Sequence, residues 1–122
     1  MASTIGAWLH RLTSDENQLE ADSLASEVDA SGATRARSCQ CGQRVELLGK
    51  LRCVQLQPAE RLPTLVAELF DGTDAVMLVW LGRRSIPGIE AGRTIRARGR
   101  VASRDGQKVM YNPAYDLLPA SA

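Results

Sequence analysis

The stretch AELFDGTDAVMLVWLG, residues 67–82, decides the fold. Two apolar runs, Leu65 to Phe70 and Ala75 to Leu81, flank the polar loop Asp71-Gly72-Thr73-Asp74. A short Gly-containing loop between two strand-like runs is the signature of a β-hairpin. Upstream lies RVELLGKLRCVQLQ, residues 44–57, a long strand interrupted at Gly49, where a bulge or sharp bend lets one strand serve two sheets. Downstream, GIEAGRTIRARGRVA (residues 88–102) leads through a turn at Asp105-Gly106 into a closing run, QKVMYNPAYDLL (residues 107–118). The runs predict five strands.

Between the third and fourth strands, Ser85-Ile86-Pro87-Gly88-Ile89 leaves room for a 3₁₀ turn at most, because Pro87 and Gly88 break anything longer. Short strands, a bent first strand and this connection predict a mainly β fold, a five-stranded Greek-key barrel of the OB type with an N-terminal helical extension. The expected division is helical extension and linker over 1–43, barrel over 44–118 and a tail over 119–122.

In the extension, Ile5, Trp8, Leu9 and Leu12 recur at helical spacing and make one apolar stripe. Thr13 with Glu16 forms a capping-box pattern opening a second helix, about Asp15 to Asp29, with Leu19, Leu24 and Val28 as its sparse apolar face. Ala30-Ser31-Gly32-Ala33-Thr34 ends it, and Ser31 to Gln43 reads as linker. Such short helices are marginal alone, so the segment docks on the barrel, engages a second copy or another protein, or lies over basic residues.

With 44% apolar and 24% charged residues, the composition is that of an ordinary globular domain. No apolar run approaches the roughly 20 residues a membrane span needs, and MASTIGAWLHRLTSDE lacks a secretory pattern. The expectation is a cytoplasmic protein without a membrane partner. Cys39, Cys41 and Cys53 are an odd set, with one residue between the first two and the only histidine, His10, far away. Reduced thiols fit that spacing better than a zinc site. No phosphate loop or nucleophile and base pair stands out, so neither enzyme chemistry nor a cofactor is expected.

Charge is unevenly spread. Residues 1–43 carry three arginines against six acids, whereas between Arg83 and Lys108 eight basic residues face only Glu90 and Asp105. A local positive field attracts phosphates, although a solvated surface can carry the same charge. Ile95, Ala97, Gly99 and Val101 alternate with Arg96, Arg98 and Arg100, which puts three guanidinium groups on one face at a spacing of about 6.5 to 7 Å. That row suits the backbone of an extended nucleic-acid strand. Among the aromatics, Trp80 shares parity with Val76 and Leu78, so periodicity leaves its side undecided. Partial exposure beside Arg83 and Arg84 is the expectation for Trp80, core or surface stays open for Phe70, and Tyr111 and Tyr115 belong at the rim.

Three segments, ELFDGTDAVMLVWLG, IEAGRTIRARGRV and GQKVMYNPAYDLL, resemble OB domains of the anticodon-binding type, and in particular the wedge domain of RecG-type helicases. Asn112-Pro113-Ala114-Tyr115 is similar to the Asn/His-Pro-x-Tyr-like segment of that wedge. With its WLHRLT opening, the chain also resembles small stand-alone OB-fold proteins of actinobacteria. The resemblance implies a binder of single-stranded or junction nucleic acid, DNA in preference to RNA, in repair or recombination. The expected contacts are Arg83, Arg84, Arg96, Arg98, Arg100, Trp80, Tyr111 and Lys108. The rival expectation is a protein-interaction or self-assembly module that uses Ile5 to Leu12 as its contact.

Overall fold

Among the described residues one helix, α1 (Ser14–Ser31), precedes six strands: β1 (Arg44–Gln57), β2 (Thr64–Phe70), β3 (Ala75–Leu81), β4 (Thr94–Arg104), β5 (Gln107–Tyr111) and β6 (Ala114–Leu117). The computed structural model describes residues 14–57 and 62–119. The apolar stripe Ile5, Trp8, Leu9 and Leu12, together with His10 and the Thr13 cap, falls outside the described residues.

Five of the strands close a ring in the order β1, β2, β3, β5, β4 and back to β1, with β3 and β5 parallel and the other neighbours antiparallel. This is the arrangement of an OB-like barrel. One strand does serve two neighbours, since residues 44–50 of β1 pair with β4 and residues 50–57 with β2. The register shift, however, falls between Leu51 and Cys53 and not at Gly49. Gly49 is needed for a different reason: a Cβ there would sit 2.6 Å from the Phe70 carbonyl oxygen, so only glycine lets β2 cross so closely.

The closing run is not one strand. Asn112 adopts φ 50°, its N–H donates to the Val79 carbonyl at 2.6 Å, and its side-chain oxygen accepts from Leu81 N at 2.9 Å. Pro113 follows without a donor of its own, so pairing with β3 stops and β6 crosses to β4. At the other end of β5, Asp105 (φ 53°) and Gly106 (φ 80°) make the two-residue turn that the right-handed twist of a hairpin favours.

Inside the ring, Leu47, Leu51, Leu69, Leu78, Ile95 and Met110 are fully buried. Trp80 joins them at 5% exposure, which corrects the expectation of an accessible indole. Its Nε1 donates to the Pro113 carbonyl at 3.1 Å, and Tyr115 meets its ring edge-on with centroids 5.8 Å apart. Tyr115 is accordingly half-buried rather than a rim residue. Ile86 and Ile89, from the helix-free connection between β3 and β4, complete the same core.

The stretch read as linker is pinned to the barrel. Its 3₁₀ turn, Ala36–Ser38, presents the Ala36 N–H to the buried Asp71 carboxylate at 2.6 Å, and both Ala36 and Cys39 enter the core. Helix α1 lies against β1 and the β2–β3 hairpin. There Gly72 (φ 92°) would place a Cβ 2.7 Å from Ala25 N and closer still to the Ala21 carbonyl oxygen. Leu24 and Val28 are buried as the sequence predicts, but Leu19 points to solvent with 72% exposure. Gly32, at φ 77°, ends the helix. No helix among the described residues is long and apolar enough to cross a membrane.

Candidate nucleic-acid interface

The barrel has two outward faces, and the sequence-expected residues divide between them. On the first face, β4 sends Arg96, Arg98 and Arg100 outward, flanked by Arg44, Glu46 and Leu48 of β1 and by Ala114 and Asp116 of β6. The arginines do not form a free ladder. Glu46 reaches Arg96 at 3.6 Å and Arg98 at 3.8 Å, and Asp116 bonds Arg98 at 2.5 Å. The Asp116 carboxylate raises the Arg98 guanidinium further above its ordinary pKa. These groups are solvated, and exposed ion pairs contribute little to stability, so they stay exchangeable for other anions. Arg100 donates to the Gly42 carbonyl at 2.9 Å. Outward-facing Leu48 is buried, as α1 lying against β1 requires.

The second face spans β2, β3 and β5. Register places Val66 of β2 opposite Val79 of β3, and Met77 and Val79 beside Val109 and Tyr111 of β5. Val66, Val79, Val109 and Met77 form a separate apolar cluster outside the barrel core. They floor a cleft of about 210 Å³ whose walls are Gln57 at the end of β1 and Arg104, Asp105 and Gln107 at the β4–β5 turn. A slightly smaller depression holding Glu68, Asp74 and Lys108 adjoins it through Met77 and Gln107. Arg52, at the β1 bulge, stacks its guanidinium 4.1 Å over the Phe70 ring and pairs with Glu68 at 3.3 Å. Both faces of β3 are therefore apolar, one filling the core and one flooring the cleft.

Tyr111 lies at one end of this floor with 42% exposure, beside exposed Leu81. Leu62 is exposed at the same end, next to Gly82, and the exposed Arg83 and Arg84 follow directly. Of the expected residues, Tyr111 therefore lies exposed on β5 beside β3, and Arg83 and Arg84 are exposed in the segment that leaves β3. Two other expected residues lie elsewhere. Trp80 is in the core. Lys108 points to the opposite side of β5 from Val109 and is a staple, its Nζ donating to the Ala36 carbonyl at 2.6 Å and the Arg37 carbonyl at 3.2 Å. Residues that sequence reasoning passed over are Val66, Met77, Val79, Arg104 and Gln107. The signal for them was AVMLVWL itself, since a strand with no polar face in a small barrel has an outer surface that is either covered or used.

No protein-family model matches the sequence, and no curated protein matches it. Among solved structures, the chain is similar to RecG bound to a three-way DNA junction, with a TM-score of 0.59 and 23% identity. The match covers 70% of this chain and 12% of that one. A likeness at this identity concerns the fold: the barrel corresponds to a small part of a much longer protein.

Proposed function

We propose that this chain is a non-enzymatic module that binds a single strand of nucleic acid, DNA in preference to RNA, in the cleft across β2, β3 and β5. The observation that carries the proposal is the cleft of about 210 Å³ between polar walls, floored by Val66, Val79 and Val109, which are themselves buried, and by the partly exposed Met77. An unstacked base needs an apolar platform for its face and amides for its edge, and Gln57 and Gln107 stand at the walls for the second task. Tyr111 offers a ring at one end. Arg104 at the cleft wall, with Arg83 and Arg84 in the exposed segment that follows β3, would neutralise phosphates of the bound strand.

The likeness to a junction-bound structure supports DNA as the polymer and repair or recombination as its setting. Fold alone does not carry an activity, so the weight rests on the cleft. The test is a titration with a fluorescent oligonucleotide at two salt concentrations. Three phosphates neutralised give a log-log salt slope of about −2 for a single strand. Met77→Glu, which puts a charge on the floor, is expected to abolish binding. Undiminished affinity in that variant removes the cleft from the function.

A further inference from the structure

We infer that the face formed by β1, β4 and β6 is a second nucleic-acid surface, and that it receives the phosphate backbone of a double-stranded segment. This deepens the reading above and rests on it. Register puts Arg44 directly opposite Arg100 across the β1–β4 pair. Side chains directly opposite in an antiparallel pair share one face, and like charges placed so are unfavourable unless an anion joins them. Among the described residues the ion pairs include neither arginine, although Glu46 and Asp116 serve Arg96 and Arg98 one and two rungs away. Four arginines against two carboxylates leave this strip a net +2.

The strip also has room for a phosphate. An open depression of about 430 Å³ lies over Thr34, Arg44, Val45, Glu46, Arg98, Gly99 and Ala114, so two of the four arginines, Arg44 and Arg98, line it. Arg100, across the strand pair from Arg44, is steadied by the Gly42 carbonyl, and Arg98 by its two carboxylates. Arg44 and Arg98 bring to this depression guanidinium groups, which suit bidentate contact with a phosphate.

The choice of a duplex follows from what the face lacks. Its outward residues are charged, small or covered: no exposed aromatic ring and no apolar platform stands among Arg44, Glu46, Arg96, Arg98, Arg100 and Ala114. A single strand gains its affinity from stacking as well as charge. A duplex keeps its bases inside and offers phosphates alone, which is the partner such a face can satisfy. Cleft and strip lie on different outer faces of one barrel, so the molecule can hold a single strand and a duplex at once.

The test compares Arg44→Ala/Arg100→Ala with the unaltered chain by fluorescence anisotropy against three probes: a single strand, a blunt duplex and a three-way junction. The variant is expected to bind duplex and junction about tenfold more weakly, with the salt slope shallower by about 2, because two phosphate contacts are gone. Single-strand affinity stays unchanged. Its Tm does not fall, since a repulsive pair has been removed, and Arg100→Gln alone gives half the effect should the double variant fold poorly. Equal duplex and junction affinity in variant and parent overturns the inference, as does equal weakening toward all three probes. Single-strand binding without any duplex binding by the parent chain overturns it and leaves the cleft reading intact, whereas no binding of any probe ends both.

Discussion

Asp71 acts both as a turn residue and as a clamp. Fully buried, it accepts hydrogen bonds from Ala36 N at 2.6 Å, Thr73 N at 2.9 Å, Thr73 Oγ1 at 2.6 Å and Asp74 N at 3.1 Å. Its local role was legible, because Asp before Gly in a turn bonds its own backbone. Its grip on Ala36, 35 residues away, was not, since nothing in a sequence window records a partner that distant. Asp71→Ala strands the buried Ala36 N–H and is expected to cost about 3 kcal/mol in urea unfolding, with Asp71→Asn less harmful. Unchanged stability contradicts the clamp. Trp80 was illegible for a different reason: Val76, Leu78 and Trp80 alternate with Met77, Val79 and Leu81, so polarity cannot say which side faces the core. The thiols give a further check. Cys39 is buried, donates to the Ala36 carbonyl at 3.1 Å, and burial pushes its pKa up, while Cys41 and Cys53 are exposed. Alkylation of the native protein near pH 7.5 should therefore add two groups by mass spectrometry and a third only in denaturant; three rapid additions contradict the burial of Cys39.

At the level of elements, the β2–β3 hairpin, the β4–β5 turn and the alternation of β4 were readable because each is set by neighbours in sequence. The division of the closing run depended on Asn112 meeting Val79 and Leu81 on another strand. Asn112→Ala removes the acceptor for Leu81 N and puts a Cβ-bearing residue without a compensating side-chain bond at positive φ. It is expected to lose about 2 kcal/mol, measured as a lower urea midpoint. Because Tyr111 precedes it, affinity for a single strand should fall as well. The arginine row was legible as a row, but Glu46 and Asp116 come to it from β1 and β6, so its partial neutralisation could not be read from β4 alone. Gly72→Ala addresses how α1 is seated. A side chain there meets the Ala21 carbonyl and Ala25 N, so the variant should loosen the helix, seen as faster amide exchange in α1 while the barrel strands stay protected. Unaltered exchange in α1 contradicts the close helix–hairpin contact.

For the molecule as a whole, the barrel provides a rigid ring that displays two chemically different outer faces, one apolar and glutamine-walled, the other arginine-rich. Which residues belong to which face depends on closure of the ring, and that is why the sequence yielded the fold more readily than the site. In the proposed function the apolar face takes the bases of a single strand. Chemical-shift mapping of the isotopically labelled chain with a short oligonucleotide tests it most directly. Amide shifts concentrated at Val66, Met77, Val79, Val109, Tyr111 and the Arg104–Gln107 turn are predicted; shifts confined to α1 or to the barrel's other face, or none at millimolar oligonucleotide, contradict it.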